Sequence, residues 1–266
     1  MKFETVLLET REHIATITLN RPERLNALNE QMFTDLRHAL REVTDDQDVR
    51  VVVLTGAGRA FCASADVNAE KNGDTLIGPG AHANLQFIRN NPQQVTLLIH
   101  QMPKPTIAMV NGLAIGDGFD WVLACDIRIG CENARFMNAF QRMGLVPATG
   151  GAWLYTRAMG LNRALEMLYT ADWLEAEEAY RIGVLNHLVS SAQLEAETMA
   201  LAKRIAEKAP VSIRLVKEMV FRALQQSLPE HLPEAGQMEA LALTTEDHKI
   251  ALKAFLEKHP PHFTGR

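Results

Sequence analysis

The chain has 266 residues, enough to bury one large core, with 47% hydrophobic and 22% charged residues and a net charge of −5. That balance excludes nucleic-acid binding through clustered lysine and arginine, and no apolar run approaches the roughly 18–20 residues of a membrane span. Cys62, Cys125 and Cys131 are odd in number, lack metal-ligand spacing and sit among small or apolar residues. They read as buried free thiols in a reducing compartment, and no metal site is expected. The opening MKFETVLLETREH is interrupted by Glu4, Glu9 and Glu12, unlike a signal peptide, so the expected location is the cytoplasm.

In chain order, IATITL at 14–19, RVVVL at 50–54, TIAMV at 106–110 and IRIGC at 127–131 are short and β-rich. Their continuity is that of strands covered on both faces. Residues 29–43 place Met32, Phe33, Leu36, Leu40 and Val43 on one helical stripe, and a second helix starts in the glycine-containing run 116–118. The alternation predicts an α/β architecture. After about residue 150 the pattern becomes helical, over 150–159, 162–169, 175–182, 191–208, 211–226 and 235–257, punctuated by Pro210, Pro229 and Pro233. A core domain over 1–195 and a helical region over 196–266 follow. VNAEKNGDTLIGPGAH at 67–82 reads as a loop that serves as a lid or substrate wall.

Three segments carry the chemistry. TGAGRAFCASADV at 55–67 supplies small residues that let backbone amides approach a ligand, although a small-residue turn explains it equally well. MVNGLAIGDGFDWVLACD at 109–126 ends a strand, passes Gly112, Gly116 and Gly118, and opens a helix whose N-terminus suits an anionic oxygen. Asp117 and Asp120 stand there at i and i+3, on neighbouring positions of one face; a plain reading makes Asp117 an N-cap and Asp120 a first-turn acid. FMNAFQRMGLVPATGGAWLYTRAMG at 136–160 turns tightly through Gly144, Pro147, Gly150 and Gly151 into a helix.

These segments, together with LNRPERLNALN at 19–29 and AFLEKHPPHFTGR at 254–266, resemble in order and spacing the crotonase (enoyl-CoA hydratase/isomerase) superfamily along essentially the whole chain. The resemblance implies a spiral of repeated ββα units with C-terminal helices that form a homotrimer or homohexamer. It implies no tightly bound cofactor, with coenzyme A entering as part of an acyl-CoA thioester substrate. By motif position, the amides of Ala65 and Asp117 would hold the thioester oxygen as it becomes an enolate. The coenzyme A portion would lie near Arg24, Leu25, Ala63 and Asp66, with Phe255 and Lys258 as further candidates.

The sequence also departs from that pattern. Of the two glutamates that hydratases of the superfamily use, the first matches Asp120 and the second matches Phe140, which carries no proton. The context AFQRMGLVP looks like the phenylacetate-pathway enoyl-CoA isomerase branch, but the aspartate that branch carries after its LVP matches Ala148. Asp117 stands where the family has glycine. The remaining acid pair, Asp117 and Asp120, is expected to split into one ionised and one neutral member, as proton shuffling requires. An enoyl-CoA isomerase working through Asp120 is therefore expected, with a hydratase or a catalytically degenerate acyl-CoA-binding homologue as the alternatives. His100, His187 and His248 read as surface or satisfied residues, Asp126 as a structural acid, and Phe140 and Trp153 as walls of an acyl pocket.

Overall fold

The computed structural model describes residues 3–67, 76 and 78–266. A hairpin opens the chain: β1 (Val6–Arg11) pairs antiparallel with β2 (Ile14–Leu19). Helix α1 (Glu30–Asp45) follows, capped by the Asn29 side chain, which accepts from the Met32 amide at 3.0 Å. Its buried residues are Met32, Phe33, Asp35, Leu36, Ala39, Leu40 and Val43, which include all five of the stripe the sequence spacing predicts and add Asp35 and Ala39.

A two-strand unit then recurs three times. β3 (Val51–Gly56) leads to β4 (Ala60–Cys62), β5 (Thr106–Val110) to β6 (Leu113–Ile115), and β7 (Ile127–Cys131) to β8 (Arg135–Met137). The first strand of each unit joins a six-stranded sheet, and the second joins a four-stranded one. With β9 (Leu174–Glu175) and β10 (His187–Val189), the orders are β1-β2-β3-β5-β7-β10 and β4-β6-β8-β9. Each unit is followed by helix: α2 (Ala81–Asn90) and α3 (Pro92–His100), then α4 (Asp117–Ala124), then α5 (Gly151–Met159) and α6 (Leu161–Thr170). Parallel pairing of β2, β3, β5, β7 and β10 requires these crossovers. Their burial on both faces explains why the four strands predicted from sequence are continuous apolar runs rather than alternating ones.

Helices α7 (Ala176–Arg181), α8 (Leu194–Ala206), α9 (Pro210–Ala223), α10 (Leu228–Leu243) and α11 (Glu246–Glu257) complete the chain. The division expected at 195/196 falls inside α8, which lays Leu194, Ala202 and Ala206 against Ile14, Val51, Val53, Ile107 and Ile129 of the large sheet. The single helix expected over 235–257 is two helices, broken at Thr244 and Thr245. Thr245 caps α11 by accepting from the His248 amide at 3.1 Å. Pro229 sits in the first turn of α10 and Pro233 lies inside it, so the prolines do not end that helix. Asp126 is the structural acid expected: its Oδ2 accepts from the Thr106 amide (2.8 Å) and hydroxyl (3.0 Å) and pairs with Lys217 of α9 at 2.7 Å. All three cysteines are buried free thiols.

The spiral sets α4 across the middle of the molecule, with every residue from Asp117 to Ala124 buried. This requires glycine at 118, where a Cβ would fall 2.6 Å from both the Cβ and the carbonyl oxygen of Cys62 on β4. Gly118→Ala is accordingly expected to push α4 off β4 and to lower stability by roughly 1–3 kcal/mol in denaturant unfolding, the usual cost of overpacking.

Candidate active site

The N-terminus of α4 is built by three neighbours. Gly116 precedes the helix at φ 52°, donates its amide to the Met137 carbonyl at 2.9 Å, and accepts from the Asp120 amide at 3.0 Å. A side chain there would meet Ser64 Oγ at 2.4 Å. Gly116 thus holds the capping place, and Asp117 is the first helical residue rather than the N-cap. Ser64, itself at φ 66°, donates its hydroxyl to Asp117 Oδ2 at 3.1 Å and accepts from the Asp117 amide at 3.4 Å. A non-glycine residue in the left-handed region carries strain of the kind that persists where function demands a fixed geometry.

Asp117 and Asp120 lie one helical turn apart and are 5% and 0% exposed. The Thr149 hydroxyl donates to Asp120 Oδ2. Asp120 Oδ1 is buried with no hydrogen-bond partner, lying where a Cβ on Gly151 would come within 2.9 Å of it. The Gly151 amide and the Tyr155 hydroxyl face this carboxyl without closing a bond to Oδ1. Tyr155 is fully buried and accepts from Asn138 Nδ2 at 3.2 Å.

Loss of water dominates the electrostatics. Burial pushes Asp120 up from the ordinary 3.8 to about 7; the Thr149 hydrogen bond opposes the rise and the charge of Asp117 adds to it. Burial also raises Asp117, against the hydrogen bonds of Thr149 and Ser64. The Tyr155 hydroxyl is raised by burial and by Asp120, so it stays protonated. A carboxyl that titrates near neutral pH is suited to taking and returning protons.

Beside Asp117 the structure brings together, on one lip, Arg24, Leu25, Ala63, Ala65 and Asp66 of the predicted backbone and ligand residues. Leu28 donates to the Ser64 carbonyl at 2.8 Å and accepts from the Asp66 amide at 2.9 Å, a parallel bridge between Leu28 and Ala65. In such a bridge the central residue's own amide points away from the partner strand. The exposed Ala65 therefore turns its N–H to the side away from Leu28. Ala63 donates to the Leu25 carbonyl at 3.1 Å, and exposed Arg24 closes the adjoining 3₁₀ turn Pro22–Arg24. Asp66 is buried, its carboxylate paired with Arg21 at 3.1 Å. Phe255 is 81% exposed near the end of α11, and Lys258 follows that helix in a left-handed conformation.

Phe140 begins the 3₁₀ turn Phe140–Met143, and its Cζ would stand 3.5 Å from a Cβ on Gly116, so the ring lies at the mouth of α4. Ala148 places no acid; its carbonyl accepts from Gln93 at 2.8 Å. Trp153 turns to His100, 5.1 Å between ring centroids, and lies under the Arg157 guanidinium at 3.7 Å. His100 is half-buried between Trp153 and Phe221, and burial lowers its basicity. Most of the loop expected over 67–82 lies outside the described residues; its described end forms the start of α2. Sequence reasoning missed Thr149, Tyr155 and Asn138. The available signal was spacing, since Tyr155 follows Gly151 by one helical turn and shares its face.

A sequence model of the family described as enoyl-CoA hydratase/isomerase matches residues 9–266. The chain is 34% identical to the short-chain-enoyl-CoA hydratase of Clostridium acetobutylicum, over 97% of each chain. It is 35% identical to the 1,2-epoxyphenylacetyl-CoA isomerase of Escherichia coli, over 99% of each. The crystal structure of an enoyl-CoA hydratase from Bacillus anthracis superimposes with a TM-score of 0.92 at 30% identity, covering 99% of this chain and 100% of that one.

The raised acid makes a prediction about stability. Asp120 is protonated in both folded and unfolded chains below about pH 3.8. Between that value and about 7 only the unfolded chain releases the proton, so stability falls as pH rises, and the full loss is present above 7. The loss is on the order of 4 kcal/mol. Asp120→Asn removes this titration, so its stability relative to the parent is expected to improve steadily from pH 4 to pH 8 in denaturant unfolding; a difference that is flat with pH would contradict the assignment.

Proposed function

The chain belongs to the enoyl-CoA hydratase/isomerase family, and from that premise we propose that it acts on an acyl-CoA thioester through an enolate, as an enoyl-CoA isomerase. The observation that carries the reading is the acid inventory: two buried carboxyls stand at the α4 N-terminus, while the remaining family acid positions hold Phe140 and Ala148. A hydratase needs two groups to hold and activate water, and a phenylalanine ring supplies neither. An isomerase needs one group that removes a proton from one carbon and returns it to another.

The thioester oxygen accepts from the Ala65 and Asp117 amides, the latter exchanging its long 3.4 Å contact with Ser64 for the ligand. Negative charge that develops on that oxygen meets fixed donors and the positive end of α4. Asp120 takes and returns the proton. Arg24, Leu25, Ala63 and Asp66 line the lip where coenzyme A lies. Hydration remains the second reading, supported by the hydratase named among the relatives.

Assembly completes the proposal. Helices α9 and α10 bury none of their residues within the chain, and Val216, Val220, Leu224, Leu228 and Leu232 form an exposed apolar series along them. A trimer or hexamer covers that series. Light scattering is expected to give three or six times the 29.6 kDa chain mass, and a monomer at micromolar concentration would contradict it.

The activity test is calorimetric titration with crotonyl-CoA, acetoacetyl-CoA and free coenzyme A, followed by incubation in deuterated water and mass spectrometry. Both thioesters should bind and exchange α- or γ-protons. Asp120→Asn should keep binding and lose exchange by about 10²–10⁴, the usual contribution of a general base. Net addition of water to crotonyl-CoA at the exchange rate would move the assignment to hydratase.

A further inference from the structure

We infer that a cavity at the end of the large sheet away from the two acids, lined by Arg50, Lys104 and Arg214, is a binding site for a small phosphate-bearing anion. The site goes beyond the enolate reading and does not depend on it.

The cavity has a volume of about 360 Å³ and is walled by segments far apart in sequence. His13, Arg50 and Lys104 stand just before β2, β3 and β5, at the entry ends of three strands that pair in parallel. Asp117 comes after β5 and β6, beyond the other end of this run, so the acids take no part in the cavity. Pro210 and Arg214 contribute the start of α9, and residues 264–266 close a further side. That last wall is tied down. The Asp247 carboxylate, 1% exposed, accepts from the Thr264 amide at 2.7 Å and the Gly265 amide at 2.9 Å. Arg50 donates to the Phe263 carbonyl at 2.9 Å and to the Ala206 carbonyl at 3.0 Å.

Charge decides the class of ligand. Buried Lys104 donates to the carbonyls of Val43 and Asp46, so it and Arg50 both spend hydrogen bonds on neutral acceptors. A carbonyl satisfies a donor and leaves its positive charge without a counter-ion. Arg214, half-buried, closes no hydrogen bond or ion pair among the described residues. Its charge reaches Lys104: burial lowers the basicity of that ammonium and Arg214 lowers it further, against Asp46 and Asp45 at the end of α1. Without counting Arg266, the last residue of the sequence, three cations face one lining carboxylate, Asp48. The start of α9, which no side chain caps, adds the positive end of its dipole. Guanidinium groups converging on a concave site suit an anion that accepts several charged hydrogen bonds at once, as phosphate does. The volume leaves room for a small organic group on that phosphate. Such an anion would join α9 to the segments ahead of β3 and β5, so its binding stabilises the folded chain.

The test titrates inorganic phosphate and glycerol 3-phosphate calorimetrically into the parent, Arg214→Gln and Arg214→Glu, with ionic strength held constant by chloride. The parent should bind a single equivalent per chain. Arg214→Gln should bind at least about tenfold more weakly, the usual loss of one charged hydrogen bond, and Arg214→Glu should not bind. Phosphate should raise the parent's thermal midpoint beyond the effect of chloride at equal ionic strength, and both variants should lose that excess. Tighter binding of the ester assigns an organic phosphate to the cavity, and equal binding assigns the phosphate group alone; each supports the inference. Absence of binding of both ligands to the parent, or equal affinity in the parent and Arg214→Gln, overturns it. Arg214 has no bonded partner to lose, so its variants should fold as the parent does. No thioester is present in these titrations, so their failure and the failure of the enolate reading are separate results.

Discussion

Two carboxyl groups one helical turn apart, shut away from water at the start of α4, are the constraint on which the site depends. Isolated carboxylates in an apolar interior are costly, and the protein offers no cation to offset them among the described residues. What it offers instead is hydroxyls, Ser64 on one acid and Thr149 on the other, with Tyr155 facing the second. Neutral donors soften the cost of burial without cancelling it, which is why Asp120 is raised to about 7 rather than held in the ordinary carboxylate range. An ion pair would have kept the acid permanently charged and less able to exchange a proton at neutral pH.

The scaffold follows from the same need. α4 must run through the centre for its first turn to be dry; it packs between β4 and β6 of the small sheet and helices α3 and α5, and needs a glycine where it meets β4. Ser64 and Gly116 adopt positive φ where β4 ends and α4 begins, and this geometry sets the Asp117 amide and the Ala65 lip side by side. Stability is given up at this point for geometry and proton affinity, as is common at catalytic sites.

The sequence was most informative where a period repeats. The α1 stripe and the four continuous strands of the large sheet are legible because each is long enough to show its burial. Strands β4, β6, β8, β9 and β10 are two or three residues long and carry no readable alternation. Their place is fixed by pairing across the spiral, which is a tertiary effect. The break between α10 and α11 was hidden because Pro233 looked like punctuation while the real stop, at Thr244 and Thr245, carries no proline. At the site, Asp117 and Asp120 stood out as acids in an apolar helix. Thr149 and Tyr155 did not, because a threonine after alanine and a tyrosine on a helix look ordinary until the turn at 147–151 folds them against Asp120.

The central claim is that burial, rather than an opposing charge, tunes this acid pair. Its most direct measurement is carboxyl carbon NMR of protein labelled at aspartate, followed from pH 4 to pH 9, with Asp120→Asn used to assign the resonance. The account predicts one aspartate resonance that titrates near pH 7 and disappears in the variant. Completion of every aspartate titration below pH 5 would contradict it.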